Sequence, residues 1–534
     1  MRLFAKYELA PLGLIPPIVS AYLKREPQLH SQVNSWLDEE EFEKLIREKS
    51  FSEDKRKSLV SHLLNQYKIA GIDVEKQKKL VQQISSLNDA NTFTVTTGHQ
   101  LSLFGGTLFM AYKILTTIKL ARDLKLKYPQ HHFVPILWLA SEDHDFEEIK
   151  GTYWQGKQLN WDLETHEKAS GEIPTESISK IVKMLGASLE QMGGIGNNLK
   201  QWIEDAYLGR ATLGDASIAF YHHLFGKEGL VILDANAPAL KKYLAPVMEK
   251  DLFTNTLFEK QQASDRILSK KYKLQINARN GNFFYLHPQL GRKMLKKEKD
   301  AFLLSDSGIQ FSKEEMYHLI QTTPELLSPN VNVRPIYQEI VLPNLAYVGG
   351  PAEIAYWLQL KPLFDACQVN FPMLVLRFMA TQMEAGFDEK LQKIGFDSKE
   401  IFGSEEQVGS KYLEKVQPID YAKTSEEIGL QLQAMLDAVK HSDPELAKTL
   451  LQIKLETRDN LKKQSGAFKR ALEKKEDKGI QKVLNLRSKF YPSGILQERI
   501  ETVLQYQLKV GSDWNQQILE LIEPMHPAMH LIQI

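Results

Sequence analysis

The sequence of 534 residues has one cysteine, no excess of either charge and no long apolar run. Cys367 alone cannot form an intramolecular disulfide, and a single thiol excludes a metal site built from several thiolates. The 67 Lys and Arg residues balance the 67 Asp and Glu residues. This balance argues against nucleic acid as a partner, because binding to its phosphates needs an excess of positive charge.

The longest clean apolar run, from Phe133 to Ala140, is far shorter than the ~20 residues of a membrane-spanning helix. Glu8 and three prolines interrupt the N-terminal segment, which excludes the apolar core of a signal peptide. We therefore expect a soluble, cytoplasmic protein. The remaining composition, 43% hydrophobic and 25% charged, is that of a globular protein with a sizeable core.

A strand, a helix and a second strand follow one another near residue 100. Thr92–Thr97 is rich in β-branched residues, Leu108–Leu126 has apolar residues at helical spacing, and Phe133–Ala140 is apolar throughout, as strands of a parallel sheet are. Similar strand patterns return at Gly229–Asp234 and Pro372–Arg377. The alternation predicts an α/β fold with a Rossmann-like, doubly wound core.

Two segments interrupt this alternation and are predicted insertions. The first, from 151 to 213, has glycine-rich turns and no strong strand. The second, from 271 to 329, contains a predicted hairpin with its turn at Asn280-Gly281, followed by a charge run from Lys293 to Lys299 that indicates a solvated loop.

The last part of the chain is highly charged and poor in β-branched residues. Between Glu426 and Lys482 apolar residues recur at spacings of three and four, with a break from His441 to Pro444. This pattern predicts either a coiled coil that forms a homodimer or a helix pair packed on its own core. The predicted organisation is a helical N-terminal cover (1–90), three parts of the core (91–150, 214–270 and 330–385) separated by the two insertions (151–213 and 271–329), a linker (386–425), a coiled-coil domain (426–505) and a C-terminal segment that returns to the core (506–534).

Three groups of residues are candidates for chemistry. The first is Gly98-His99-Gln100, between the first strand and the first helix, where backbone N–H groups can bind anions. The alternative is a tight turn in which His99 is incidental.

The second group is the acidic run Glu142-Asp143-His144-Asp145, directly after the most apolar strand. Like charges so close together should raise the pKa of some of these carboxylates and that of His144. The group suits a cationic substrate, general acid–base catalysis or a divalent metal. The alternative is a solvated helix N-terminus.

The third group runs from Asn332 and Arg334 through Tyr347 to Glu353. Gly349-Gly350 precedes a helix here, which predicts a second anion site at a helix N-terminus. The alternative is a junction of sheet and helix with core aromatics.

Four strings occur in order: TTGHQLSLFGG, FVPILWLASEDHDFEEI, RPIYQEIVLPNLAYVGGPAEIAYW and GILQERI. Together they resemble the bacillithiol biosynthesis cysteine-adding enzymes, and the resemblance covers essentially the whole chain. It implies a core related to the class I nucleotidyltransferases, two connecting-peptide insertions and a C-terminal coiled coil that forms a homodimer.

The activity implied by this resemblance is the last step of bacillithiol synthesis, in which a ligase joins the carboxylate of cysteine to the amino group of glucosaminyl-malate as an amide. The carboxylate must be activated and the amine deprotonated. The resemblance implies ATP or ADP as the nucleotide, an acyl-adenylate as the activated form, and Mg²⁺ as an optional ion.

The resemblance also implies roles for single residues. The implied catalytic residues are His99, Glu142, Asp143, His144 and Asp145. The implied substrate-binding residues are Gln100, Asn332, Arg334, Tyr347 and Glu353. The implied cofactor-binding residues are Gly98, Gly349, Gly350, Arg377 and Arg499. His99 would stabilise phosphoryl charge, the acidic group would hold or deprotonate an amine, and Arg334 would bind a malate or phosphate anion.

Other interpretations stay open at this point. Arg377 and Arg499 predict a second nucleotide pocket or, alternatively, an Arg–Glu contact that docks the last helix. The whole chain could be a dimeric nucleotide-binding scaffold without chemistry, or a nucleotidyltransferase acting on another small acid. The sequence has no lysine-rich KMSKS-like loop, so the adenylation step comes from the kinship of the fold alone.

Overall fold

The computed structural model describes residues 1–163 and 168–534. These residues form two compact units: residues 1–381 with 498–532, and residues 382–497 with 533–534. The return of the chain to the first unit, predicted at 506, begins at Glu498. No helix of the described residues is long and apolar enough to cross a membrane.

The strands among the described residues are β1 (Arg2–Tyr7), β2 (Thr92–His99), β3 (His132–Leu139), β4 (Gly151–Trp154), β5 (Lys157–Asn160), β6 (Val231–Asp234), β7 (Phe283–His287), β8 (Gly291–Lys297), β9 (Ala301–Leu304), β10 (Gln310–Ser312), β11 (Leu327–Pro329), β12 (Asn344–Gly349), β13 (Met373–Leu376), β14 (Met379–Met383) and β15 (Met529–Gln533).

The helices of the first unit are α1 (Pro17–Leu23), α2 (Glu41–Glu48), α3 (Glu53–Ile69), α4 (Lys78–Ser86), α5 (Leu108–Lys127), α6 (Phe146–Ile149), α7 (Ser179–Glu190), α8 (Gly194–Leu208), α9 (Leu213–Phe225), α10 (Pro238–Lys241), α11 (Ala245–Phe253), α12 (Thr256–Leu268), α13 (Lys313–Thr322), α14 (Arg334–Val341) and α15 (Pro351–Cys367). Those of the second unit are α16 (Phe387–Gln392), α17 (Glu405–Val416), α18 (Tyr421–Val439), α19 (Pro444–Lys475) and α20 (Asp477–Phe490); α21 (Val503–Val510) and α22 (Trp514–Leu521) belong to the first unit again.

A parallel sheet of five strands, in the order β13-β12-β2-β3-β6, forms the centre of the first unit. The predicted Rossmann-like fold is confirmed. The chain fills the sheet from β2 outwards in one direction and then, from β12, in the other. The switch point of the strand order therefore lies between β2 and β12, where such sheets bind ligands beyond the carboxyl ends of their strands.

The second insertion forms an antiparallel sheet in the order β10-β9-β8-β7-β11. The predicted hairpin is displaced: β7 pairs with β8 so that His287 lies opposite Gly291, and the turn lies beyond residue 287 rather than at Asn280-Gly281. The charge run from Lys293 is not a solvated loop, because its first residues continue β8. In the first insertion, which was predicted to lack a strong strand, β4 and β5 form a short hairpin.

The N-terminal cover is largely helical, with Leu59 and Leu63 of α3 completely buried. It is not helical throughout, since β1 belongs to a three-stranded sheet in the order β1-β15-β14. Arg2–Tyr7 pairs as a strand at the edge of this sheet.

The second unit is a helical domain with a long hairpin. Helices α18 and α19 are separated by the predicted break, and the Asp443 side chain caps α19 by accepting from Leu446 N at 3.0 Å. The predicted linker (386–425) is not an extended connection. It folds into α16 and α17, and Phe387 stacks on Phe490 of α20 with ring centroids 5.0 Å apart.

Candidate active site

A cavity of about 650 Å³ opens at the switch point of the parallel sheet. Its walls come from the carboxyl ends of β2, β3 and β12, from the start of α15 and from the second insertion. Eleven predicted site residues line it: Gly98, His99, Gln100, Glu142, Asp143, Arg334, Tyr347, Gly350, Glu353, Arg377 and Arg499. Three stretches that are distant in sequence thus meet in one cleft.

Four predicted site residues do not line the cavity. His144 lies behind Asp143 and packs against Phe284, and Gly349 lies one residue short of the wall. Asp145 is exposed and caps α6 by accepting from Glu148 N. Asn332 is buried in an amide network, where its Nδ2 donates to Gln261 at 3.0 Å and Asn282 at 3.0 Å. Asn332 therefore holds the second insertion to α12 rather than contacting a ligand.

Gly98 and His99, the last two residues of β2, line the cleft where the chain turns from the strand into the loop before α5. A Cβ at Gly98 would lie 3.4 Å from Nη1 of Arg334, so the glycine lets the guanidinium approach the backbone. The His99 ring packs edge-on against Phe109, with centroids 5.3 Å apart. Burial, with the positive charge of Lys113, lowers the pKa of His99 to about 3, so the ring is neutral at physiological pH.

Lys113 of α5 is completely buried beneath this turn. Its Nζ donates to Gly98 O and lies 2.9 Å and 2.8 Å from the two carboxylate oxygens of Glu353. Glu353 also accepts from Tyr347 OH and from Gly350 N, each at 2.8 Å. Burial opposes the charged form of Glu353, but Lys113 outweighs it and lowers the pKa of the carboxyl.

The predicted anion site at the start of α15 is thus partly filled from within the chain. Gly350 N already binds the Glu353 carboxylate, as a capping side chain does. The next two N–H groups, of Ala352 and Glu353, have no backbone acceptor among the described residues and both residues line the cavity. These two donors are what the helix N-terminus still offers to a ligand.

The acidic run is compensated by cations rather than crowded by its own charges. Lys241, also completely buried, donates to Glu142 Oε2 at 2.8 Å. Burial opposes the ionised form of Asp143, but hydrogen bonds from His144 and Gln100 and the charge of Arg292 outweigh it and lower the pKa of the carboxyl. The expectation that like charges raise the pKa values here is wrong for Asp143, because each acid faces a different cation.

Arg292, from β8 of the second insertion, was not predicted. Its guanidinium donates to Ser328 Oγ at 3.0 Å and Pro329 O at 3.1 Å, and Nη1 lies 3.2 Å from Nδ1 of His144 and 3.6 Å from Oδ1 of Asp143. His144 Nδ1 thus lies between the Arg292 guanidinium and the Asp143 carboxylate, 3.7 Å from Asp143 Oδ1.

The opposite end of the cleft is basic. Arg377 makes a bidentate contact with Glu498, and both side chains are buried. The predicted alternative, an Arg–Glu contact, is therefore present. The Nε atom of Arg377 has no hydrogen-bond partner among the described residues. Arg377 and Arg499 both lie 5.6 Å from the centre of the Phe109 ring.

Three arginines of the cleft form no ion pair with a carboxylate of the described residues: Arg279, Arg334 and Arg499. Within the described residues no group of three or more His, Cys, Asp or Glu side chains is arranged to hold a metal ion. The cleft therefore offers ionised carboxylates at the β3 end and unpaired guanidinium groups elsewhere, which suits a ligand carrying both an amino group and anionic groups.

Sequence reasoning missed the cations behind the cleft, namely Lys113, Lys241 and Arg292. One signal was available for Lys113: it stands alone among apolar residues in the first two turns of α5. A lone lysine on a buried helix face needs a buried acid. Arg292 gave no such signal, because it adjoins a run of lysines in the sequence and looks like part of that charge run.

A parallel sheet with this strand order and a charged cleft at its switch point define a Rossmann-type fold, and the cleft lies where such folds bind small ligands. Two family models cover the chain: the N-terminal Rossmann-like domain of bacillithiol biosynthesis BshC matches residues 6–378, and its C-terminal coiled-coil domain matches residues 380–534. The chain belongs to the bacillithiol biosynthesis BshC family.

Curated relatives agree over nearly the full length. Proteins named "Putative cysteine ligase BshC" from Flavobacterium johnsoniae and Flavobacterium psychrophilum are 33% and 34% identical to the chain over 529 and 533 residues, covering 98% of each partner in both cases. A protein of the same name from Bacillus mycoides is 27% identical over 539 residues, covering 97% of this chain and 98% of its own length.

Proposed function

We propose that the chain is a ligase of bacillithiol biosynthesis that joins the carboxyl group of cysteine to the amino group of glucosaminyl-malate, with activation by a nucleoside triphosphate. The observation that carries the proposal is the pairing of charges in one cleft. Asp143 is held as a carboxylate at one end, and three guanidinium groups without a carboxylate partner stand around the rest.

The acidic end of the cleft suits an ammonium group. Gln100 Nε2 donates to Asp143 Oδ2 at 2.7 Å, while Arg292 approaches the other oxygen. A carboxylate whose pKa is lowered is a weak base but a good partner for a cation. We therefore assign Asp143 to holding the ammonium group of the amino sugar or of cysteine, not to deprotonating it.

The middle of the cleft suits a dicarboxylate. Arg334 lies with its guanidinium 5.8 Å from the centre of the Trp138 ring and donates to Gln338 at 3.1 Å, which orients the planar group. Its remaining N–H groups form a fork that matches a carboxylate in two places. We assign Arg334 to the malate group.

The basic end suits phosphates. Arg377 Nε, the N–H groups of Ala352 and Glu353, and the Arg499 guanidinium are the donors there. A Cβ at Gly350 would lie 3.6 Å from Arg377 Nε and 3.3 Å from a Glu353 oxygen, so glycine keeps this space open. These donors would hold ATP, with Mg²⁺ as its accompanying ion. ATP would supply the AMP group that activates the cysteine carboxylate, with pyrophosphate leaving on activation and AMP, carrying one carboxylate oxygen, leaving when the amine attacks.

Self-association through the hairpin of α18 and α19 is part of the proposal. Exposed apolar residues recur along it, namely Leu430, Met435, Leu446, Leu451, Ile453 and Leu455, each between 43% and 65% exposed. Large apolar side chains at this exposure on a charged helix pair favour burial against a second copy.

The direct test is reconstitution with the purified full-length chain. Cysteine, glucosaminyl-malate and Mg-ATP are mixed with the protein, bacillithiol is measured as its fluorescent thiol adduct, and the nucleotide product is identified. We expect bacillithiol with AMP and pyrophosphate in equal amounts. Nucleotide binding without any thiol product would instead support a scaffold, and turnover with another small acid would support a different transferase.

A matching test in cells asks whether the protein is needed to make bacillithiol. A strain without the protein should lack bacillithiol and accumulate glucosaminyl-malate, and the wild-type gene should restore the thiol. An unchanged thiol pool would refute the proposed function. The Asp143→Asn variant should fail to restore the thiol although it accumulates to the normal level.

A further inference from the structure

We propose that Lys113 is a positioning residue for His99, fixing through the Gly98 carbonyl and the Glu353 carboxylate the turn that presents the imidazole to the cleft. The inference rests on the proposed function only for the identity of the anion that His99 meets. The arrangement itself depends on contacts that are independent of any ligand.

The first argument is geometric. Lys113 joins the carboxyl end of β2 to the first turn of α15, because its ammonium group contacts Gly98 O and both oxygens of Glu353. These two segments form opposite sides of the strand switch point. A single buried cation thus sets the distance between the His99 turn and the start of α15, the region where a ligand has to fit.

The second argument concerns the completeness of the network. Glu353 accepts from Lys113, Tyr347 and Gly350, and the Tyr347 ring stacks on Trp357 with centroids 4.1 Å apart. A buried carboxylate with this many fixed donors has one orientation only. Lys113 is therefore held by a rigid partner, as a residue that positions another must be.

The third argument concerns charge. The charged groups around His99 are Lys113 from α5, Glu353 from α15, Arg334 from α14, Arg377 after β13, Arg499 before α21 and, across Gln100, Asp143 after β3. Lys113 and Glu353 are the charged groups of opposite sign that shift the pKa of His99. Burial is the largest cause of the lowered pKa of His99; Lys113 lowers the pKa further and Glu353 opposes this, so removal of Lys113 should leave the effect of Glu353 uncompensated.

A neutral imidazole has a defined use. It can donate one N–H to an oxyanion without changing the charge of the site, and with a pKa of about 3 it does so at neutral pH. A protonated ring would instead bind the anion of the ground state tightly as well. The difference in binding energy between ground state and transition state, on which catalysis depends, would then be smaller.

The test compares Lys113→Met, Lys113→Arg and the double variant Lys113→Met with Glu353→Gln, all in the full-length chain. Histidine rings are labelled with ¹³C, and the His99 signal is assigned by its loss in His99→Gln. In the wild type we expect no protonation of His99 above about pH 5. In Lys113→Met the Glu353 carboxylate is left without its cation, and the His99 signal should titrate between about pH 5 and 8.

The double variant is the matched control. It removes both charges with side chains of similar size, so the ring should return to a neutral state throughout that range while remaining buried. Lys113→Arg keeps the cation and should keep the ring neutral. Thermal melts establish that each variant is folded before its titration is interpreted.

Two results would overturn the proposal: a His99 titration in Lys113→Met that matches the wild type, or one that shifts equally in the double variant. The ligase assay is a separate readout. If the His99 signal titrates as expected in each variant but the wild type forms no bacillithiol, the proposed function fails while the positioning role stands. If bacillithiol forms and the titrations do not differ, only the positioning role fails.

Discussion

Two pairs of an arginine with a carboxylate have opposite surroundings in the two units. Arg377 and Glu498 in the first unit are 1% and 0% exposed, whereas Arg458 and Asp459 on α19 in the second unit are 66% and 71% exposed. Exposed pairs contribute little, because water and salt screen them. Buried pairs are different, because either partner alone would leave an uncompensated charge in the interior.

The number of charged residues in a segment therefore does not indicate where the loss of one charge would lower stability or activity. The long hairpin is among the most highly charged parts of the chain, yet single charges there are expected to be replaceable. In the first unit the buried charges Lys113, Lys241 and Arg377 each contact a carboxylate. Four variants sharpen this difference, from the largest expected effect to the smallest.

Arg377→Met should have the largest effect on stability. It leaves Glu498 buried without a cation, which costs about 3–5 kcal/mol of unfolding free energy, as measured by urea denaturation. Arg458→Met should change the same quantity by less than about 0.5 kcal/mol. Adding Glu498→Leu to Arg377→Met should recover much of the loss. Equal effects of the two single arginine variants would remove the distinction between the regions.

Asp143→Asn should lower the ligase kcat/KM by about 10- to 100-fold, because the amide cannot hold an ammonium group as a carboxylate does and leaves Arg292 without its counter-charge. The assay is the bacillithiol reconstitution. Asp459→Asn, on the exposed pair of α19, should stay within about twofold of the wild type. Retained activity in Asp143→Asn would show that the acidic end does not bind the amine.

His530 provides a pH test of burial. Burial lowers the pKa of His530 to about 4, below the value of about 6.5 in an unfolded chain. The unfolded state therefore takes up a proton first, and stability is lost as pH falls from about 6.5 to 4. His530→Gln lacks this uptake. The free energy of unfolding of the wild type, relative to that of the variant, should fall by on the order of 1–3 kcal/mol between pH 7 and pH 4. Urea denaturation at each pH measures it, and parallel plots of unfolding free energy against pH would contradict the prediction.

Leu451→Glu should have the smallest effect on the fold, within about 0.5 kcal/mol, since the side chain is 45% exposed. It should nevertheless weaken self-association, which sedimentation velocity measures. Gln452→Glu introduces the same charge one residue away, on an exposed polar position, and is the control. If both variants remain dimeric, the hairpin does not form the interface.

The elements of the core could be predicted because their patterns are local. The strand ending at Gly98, the helix starting at Leu108 and the break before Pro444 all follow from β-branched runs, helical spacing and capping residues. The hairpin of the second insertion could not be located, since Asn280-Gly281 has the composition of a turn and only tertiary pairing places the turn after His287.

The site was predicted in part for a similar reason. Residues at the carboxyl ends of strands, such as His99 after β2 and Asp143 after β3, follow from the topology of a doubly wound sheet. The cations that fix their charge come from other elements, and no local pattern links Arg292 to Asp143 or Lys113 to Glu353. Nor could the sequence indicate that Asn332 faces an amide network, because its neighbour Arg334 faces the cleft.

Glu498 and Arg499 follow residues 382–497 along the chain, although both belong to the first unit. During translation, the ribosome must synthesise the entire helical hairpin before the partner of Arg377 emerges. A nascent chain therefore carries the five-stranded sheet with an uncompensated guanidinium in its interior until the last segment arrives. Premature termination anywhere in the hairpin would leave that cation stranded and would give the quality-control proteases of the cell an unstable first unit to degrade.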